Sequence, residues 1–303
     1  MRTRFRPDRQ LTARMALTMF LLGLVYVAFV AALVVLIKSM VLIVVIVGGL
    51  LLAQFWFSDR IALYGMHAHI VTAEEEPQLH GIVDRLCSLA DMPKPQIAVS
   101  DMELPNAFAA GRSSKRAVLC VTTGLTRRLD TDELEGVLSH ELSHVAHRDV
   151  VVMTVASFLG VLSGLLARTM LYSSMFGGGR DRRDGANFVV IVLAVMAVSA
   201  VVYALSYLLI RALSRYRELA ADRAGAILTG RPSALASALT KVSGEIARIP
   251  TRDLRAAQAF SAFFFAPALG VQTSVAHVLS THPSLERRLD QLATLSTQLG
   301  EGA

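Results

Sequence analysis

The chain is expected to be a mainly α-helical integral membrane protein, with four apolar helices joined to an α+β domain that contains a small β-sheet. Hydrophobic residues make up 53% of its 303 residues, and the mean hydropathy is +0.51, too apolar for an ordinary soluble domain. The apolar residues are gathered into long runs rather than spread along the chain. Between and after those runs lie polar segments in which strand-like and helix-like patterns alternate with turn residues.

Residues 1–57 form an N-terminal segment with two runs, Met15 to Ile37 and Met40 to Phe57, broken at Lys38-Ser39. Each is about long enough to cross a hydrocarbon core as a helix. The first is too long for the apolar part of a cleavable signal and lacks a clear small-residue cleavage site, so it reads as a retained anchor. Residues 58–149 are the first part of the polar domain. Here Glu74 to Ala90 patterns as a helix, Pro93 and Pro95 break it, and Gln96 to Ser100, Asn106 to Ala110 and Ala117 to Thr122 pattern as short strands. The polar turn Gly111 to Arg116 joins the last two. A helix then starts with Thr131 as its N-cap and Asp132 and Glu133 in its first turn, followed by Leu134, Val137, Leu138, Leu142 and Val145 at helical spacing.

Residues 150–210 hold two further runs, Val150 to Ala167 and Phe188 to Ile210, around the loop Gly177 to Gly185. They form either a transmembrane or a membrane-dipping hairpin. Residues 211–303 complete the polar domain with helices: one continuing out of the fourth run, one from Pro232 over Ser233 to Ile249, and an amphipathic one over Ser284 to Gln298. The aromatic stretch Ala259 to Phe265 suits core packing or a membrane-proximal substrate surface.

With four spans, the N-terminus and both polar segments share one side. Arg2, Arg4, Arg6, Arg9 and Arg14 ahead of the first run place that side in the cytoplasm. The three arginines of the 177–185 loop run against the rule, which is why the dipping hairpin stays open. The net charge of +6 is accounted for by residues flanking the runs, and no basic stripe with interleaved aromatics suggests nucleic acid. Cys87 and Cys120, without metal-ribbon spacing, fit reduced, buried thiols.

The chemistry lies in His140-Glu141-Leu142-Ser143-His144. Residues four apart share one helix face, so two imidazoles can reach one metal ion, and Glu141 is placed to take a proton from an attacking water. Such a string arises by chance in about one per cent of shuffled chains of this composition, so its place inside an amphipathic helix carries weight. A catalytic zinc usually takes a third protein ligand and keeps one position open. Glu218 is the best candidate, with Asp222 one turn beyond on the same face. His147 is a rival, but it stands about 10 Å along the helix from His140, too far for a straight helix to bring to the same ion. His144 and Glu218 lie about 9 and 12 Å beyond the ends of their apolar runs, so a hairpin would bring the ligands to a similar height near the membrane surface.

These residues, in this order, resemble the HtpX family of membrane zinc metallopeptidases, relatives of the CAAX prenyl proteases among the gluzincins. The resemblance covers nearly the whole chain. It includes the paired N-terminal runs, Asn106-Ala107-Phe108-Ala109, the His-Glu-Leu-Ser-His motif followed by an apolar segment, the glycine- and charge-rich loop, Glu218 with Asp222, and Thr281-His282-Pro283-Ser284. It implies a zincin-like metallopeptidase domain facing the cytoplasm. It also implies one zinc ion per chain on His140, His144 and Glu218, with Glu141 as general base and Asp222 orienting a ligand histidine. His282 is implied as an oxyanion donor, or is only a turn residue before Pro283. Asn106 either lies on the substrate side of the cleft or only forms a turn after Pro105.

The expected activity is zinc-dependent endopeptidase action on misfolded or damaged membrane proteins, a quality-control and stress-response task in the bacterial cytoplasmic (inner) membrane. Its partners would then be unfolded membrane proteins and the lipid bilayer, with no nucleic acid. The alternatives are a dedicated processing protease of CAAX type and a non-catalytic, zinc-stabilised scaffold or chaperone. An intact Glu141 weighs against the scaffold, because a purely structural zinc needs no base.

Overall fold

The structure, a computed structural model, describes residues 8–37, 49–50, 52–53, 55–111, 113–147, 182–248 and 282–300. The chain divides into two compact units, one of residues 1–12, 57–151 and 214–303, the other of residues 13–56 and 152–213.

The second unit contains most of α1 (Arg9–Ile37) and the first part of α6 (Arg182–Thr229). Among the described residues, two helices are long and apolar enough to cross a membrane, Arg9–Ala32 and Leu193–Thr229, and only 17% and 22% of their apolar windows are buried. Leu17, Phe20, Leu24 and Val27 on α1, and Leu193, Val201, Leu205 and Leu208 on α6, are exposed. A core helix of a soluble domain would bury such side chains. The runs at Met40 to Phe57 and Val150 to Ala167 fall largely or wholly outside the described residues, as does the aromatic stretch at 259–265. Arg182 to Gly185, expected in a loop, form the first turn of α6.

The first unit is the α+β part. After α2 (Ser58–Gly65) come β1 (Ala68–Ile70), α3 (Pro77–Ala90), β2 (Gln96–Ser100), β3 (Ala107–Ala110), β4 (Val118–Thr122), the short α4 (Thr123–Thr126) and α5 (Thr131–His147). The end of α6, then α7 (Pro232–Arg248) and α8 (Leu285–Leu299), complete it. The sheet order is β1-β2-β4-β3. β3 and β4 form the antiparallel hairpin expected of their turn, with Ala107 opposite Val121 and Ala110 opposite Val118. β2 and β4 run parallel, which the intervening hairpin strand makes possible.

Three details differ from the sequence expectation. β1 had not been foreseen; at three residues it is too short to show alternation, and its pairing with β2 defines it. α3 starts at Pro77 instead of Glu74, because proline suits the first helical turn, where its missing N–H costs nothing. The cap of α5 is Asp130 rather than Thr131. Asp130 Oδ1 accepts from the Glu133 N–H at 2.9 Å and Glu133 Oε2 accepts from the Asp130 N–H at 3.0 Å, a reciprocal box that satisfies two helix-end donors. The Thr131 hydroxyl instead accepts from Gln78 Nε2.

The core lies between the sheet and α3, α5, α7 and α8, with Leu86, Ile97, Leu119, Leu125, Val137 and Leu239 fully buried. Cys87 and Cys120 are free and buried in it, and burial pushes their thiols up to about 11 and about 12.

Candidate metal centre

α5 is buried along almost its whole length, from Glu133 to Val145, so its polar residues must find partners inside the fold. Near its start, Glu133 accepts from Ser237 Oγ at 2.6 Å and Lys241 Nζ at 2.7 Å, tying α7 to α5. Two turns on, α6 crosses very close. Gly225 has no side chain where a Cβ would stand 3.0 Å from His140 N and 3.2 Å from its Cα, and Ser139 Oγ donates to the Gly225 carbonyl at 3.2 Å. Gly225 lies seven residues after Glu218 and three after Asp222, on the same face of α6, so this close approach delivers both carboxylates to the histidines.

The outcome is a buried group of three donors. His140 Nε2 and His144 Nε2 are 3.2 Å apart, with the rings nearly perpendicular at 88°. Glu218 Oε2 lies 3.5 Å from His140 Nε2, and Glu218 Oε1 lies 3.6 Å from His144 Nε2. A four-coordinate ion with bonds of about 2.0–2.1 Å separates its ligand atoms by about 3.3–3.4 Å, close to the 3.2 Å between the two imidazole nitrogens. One ligand atom from each of His140, His144 and Glu218 lies within 4.8 Å of the others, so the three could hold one ion.

The surroundings fit a cation as well. Asp222 Oδ1 lies 2.8 Å from His140 Nδ1. A proton on Nδ1 then leaves the Nε2 lone pair directed at the group, the tautomer a metal ligand needs. Burial would lower the His140 ring, but the hydrogen bond and charge of Asp222, joined by Glu218, raise it to about 9. The pocket thus favours a positive charge, which a metal ion supplies in place of a proton. Glu141 is buried on the same helix, and burial pushes its carboxyl up, against the pull of His140 and His144.

His282, just ahead of α8, joins the group, with Nδ1 3.4 Å from Glu218 Oε2. His147 does not. Its Nδ1 turns back to the Ser143 carbonyl at 2.8 Å, one turn up its own helix. Asn106 is placed at the head of β3, fully buried. Its backbone N–H donates to Thr122 Oγ1 at 2.8 Å, and its carbonyl accepts from the Thr122 N–H at 3.0 Å.

Two arginines belong to this centre: Arg288, to which the sequence assigns no role, and Arg217, which the sequence places only among the basic residues flanking the last apolar run. Arg288, 2% exposed, grips Asp222 with two hydrogen bonds, Nε to Oδ2 at 2.7 Å and Nη2 to Oδ1 at 2.6 Å. This fork holds the carboxylate that in turn holds His140. Arg217 Nη2 lies 3.3 Å from Glu218 Oε1. Gln291 Nε2 adds a bond to the Leu219 carbonyl at 2.7 Å, so α8 and the turn before it grip the ligand-bearing turn of α6 at three points.

Gly225→Ala is expected to push α6 away from α5 by a few tenths of an ångström. Overpacking of this kind costs about 1–3 kcal/mol, and here it also spreads the donors. A lower unfolding temperature together with weaker metal retention, measured on the purified protein, checks this. A destabilised variant with normal metal content would show that the close approach serves packing alone.

Residues 73–296 match peptidase family M48. The chain belongs to this family. Protease HtpX homolog 1 of Streptomyces coelicolor is 65% identical over 301 residues, covering 99% of this chain and 98% of that one. Protease HtpX homolog of Moorella thermoacetica is 51% identical, with 99% of each chain covered, and Protease HtpX homolog 2 of Methanosarcina mazei is 45% identical over 99% of this chain and 100% of that one. The crystal structure of S. mikatae Ste24p superposes with a TM-score of 0.52 at 17% identity, covering 94% of this chain and 66% of that chain; this likeness concerns the fold alone. The M48 chain is therefore a metallopeptidase, and the one donor group of metal-binding composition among its described residues is His140, His144 and Glu218.

Proposed function

We propose that this M48 peptidase is a zinc-dependent endopeptidase of the cytoplasmic membrane that cleaves misfolded or damaged membrane proteins. The observation that carries the reading is the convergence of His140, His144 and Glu218 at 3.2–3.6 Å, with Glu141 beside the first of them. Zinc is favoured by the mixed imidazole and carboxylate donors. The exposed apolar sides of α1 and α6 support the membrane placement, and the arginines leading α1 support a catalytic domain on the cytoplasmic side.

When bound, the ion supplies Lewis-acid activation of the attacking water and of the scissile carbonyl. The residues of the chain do the rest. Glu141 accepts a proton from that water and passes it to the departing amine. His282 donates a hydrogen bond to the developing oxyanion. Asp222 and Arg288 keep the His140 ring in one orientation. β3, at the edge of the sheet and packed on α5, offers main-chain groups to an extended substrate, with Asn106 at its head.

Purified protein is expected to cleave an unfolded, casein-like substrate, to stop on chelation and to recover on adding zinc. Cleavage that survives complete metal removal would end the proposal. Preference for unfolded membrane substrates over prenylated peptides separates quality control from CAAX-type processing. Topology is checked by labelling single reporter cysteines from outside intact cells. A reporter near Lys38 is expected to label and one near Lys115 to stay protected; the reverse pattern would invert the orientation.

A further inference from the structure

α2 is buried on one side only. Ala62 and Met66 pack into a small core with Ala98, Phe108, Val118 and Cys120. On the opposite side Phe57 is 45% exposed, Ile61 52% and Tyr64 84%. Their spacing of four and three residues sets them in one stripe along the helix. Arg60 flanks that stripe, its guanidinium carbon 5.9 Å from the centre of the Phe57 ring. Trp56, the single tryptophan, is exposed immediately before it. The metal centre uses none of these side chains.

The chain enters α2 directly from the apolar run that ends at Phe57. Aromatic residues and an arginine at the end of a span are the residues that settle at the headgroup level, where a ring is half in hydrocarbon and a guanidinium reaches phosphate. The stripe is one helix face wide, with a cation at its edge. That suits a shallow lipid contact better than the broad, closely packed patch a stable protein partner requires. We propose that α2 lies along the membrane surface, with Phe57, Ile61 and Tyr64 at the boundary of headgroups and acyl chains and Arg60 on the lipid phosphates. This rests on the membrane placement proposed above. It gives the catalytic unit a second attachment to lipid besides its covalent connection, and fixes which of its sides faces the bilayer.

The test uses the full chain carrying Trp56→Phe, so that an introduced tryptophan is the only one. A Tyr64→Trp probe is reconstituted in vesicles of phosphatidylglycerol and phosphatidylcholine brominated near either the headgroup end or the methyl end of its acyl chains. Its emission is expected to fall more with the shallow bromines than with the deep ones, and to resist aqueous acrylamide. A Val27→Trp probe on α1, expected to respond most to the deep bromines, reports membrane placement separately. If the Val27→Trp probe is not quenched, the membrane placement fails and the inference fails with it. If it is quenched while the Tyr64→Trp probe is reached only by acrylamide, α2 lies in water and the inference alone is overturned. Shielding of the Tyr64→Trp probe from both quenchers would mean that protein covers the face, which overturns it equally. An Ile61→Trp probe repeats the measurement if the first variant no longer cleaves casein.

Discussion

Glu141→Gln is expected to keep its metal and lose cleavage by about 10²–10⁴-fold, the usual contribution of a positioned general base. The amide preserves the side chain's size in a buried site on a packed helix, so the fold and the three-donor group are left in place. What it removes is the ability to accept a proton. Metal content by elemental analysis and the cleavage rate on an unfolded substrate together decide the matter. Normal metal with near-normal turnover would assign the proton to another group, whereas loss of metal would make Glu141 part of the ligand set.

Glu218→Gln is expected to weaken metal binding sharply, because a neutral amide is a far poorer donor than a carboxylate. Four groups lie beside that carboxylate: His282 Nδ1 at 3.4 Å, Arg217 Nη2 at 3.3 Å, His140 Nε2 at 3.5 Å and His144 Nε2 at 3.6 Å. Its neutralisation therefore also removes the charge that faces Arg217 across the 3.3 Å pair. Asp222→Asn is expected to do less, about 10–100-fold in metal affinity or activity, since it acts through the His140 ring. Competition with a chromophoric chelator measures both. Wild-type affinity in Glu218→Gln, combined with metal loss in His147→Ala, would move the third ligand to His147 and require a kink in α5.

The centre was legible in the sequence where its geometry is local. His140, Glu141 and His144 are related by one helical turn, and Glu218 and Asp222 by another, so spacing alone sets their faces. Arg288 was not legible in that way because its role depends on a pairing across 66 residues with Asp222. One signal was present nonetheless. Leu285, Leu292 and Leu295 form the inward stripe of α8, and Arg288 interrupts it at the same spacing. An arginine in the apolar stripe of an amphipathic helix must have a buried anion, and the sequence holds the candidate. The sheet was read in part: β2, β3 and β4 have the apolar composition of buried strands, whereas β1 is defined only by its neighbour. The cap of α5 was misread by one residue because both Asp130 and Thr131 can cap, and only the return bond from Glu133 chooses between them.

The unbroken course of α6 from Arg182 to Thr229 has a consequence for how such chains can vary. Along a helix the rotational phase between two residues is set by the number of residues between them. One residue inserted between Glu218 and Gly225, where α6 packs on α5, would turn the carboxylate by about 100° and carry it away from His140, while seven would return it to within about 20° at a height shifted by about 10 Å. Length changes here are therefore silent in neither angle nor height. Variation in this part of the chain should be confined to substitution, leaving insertions and deletions to the connections outside the helix.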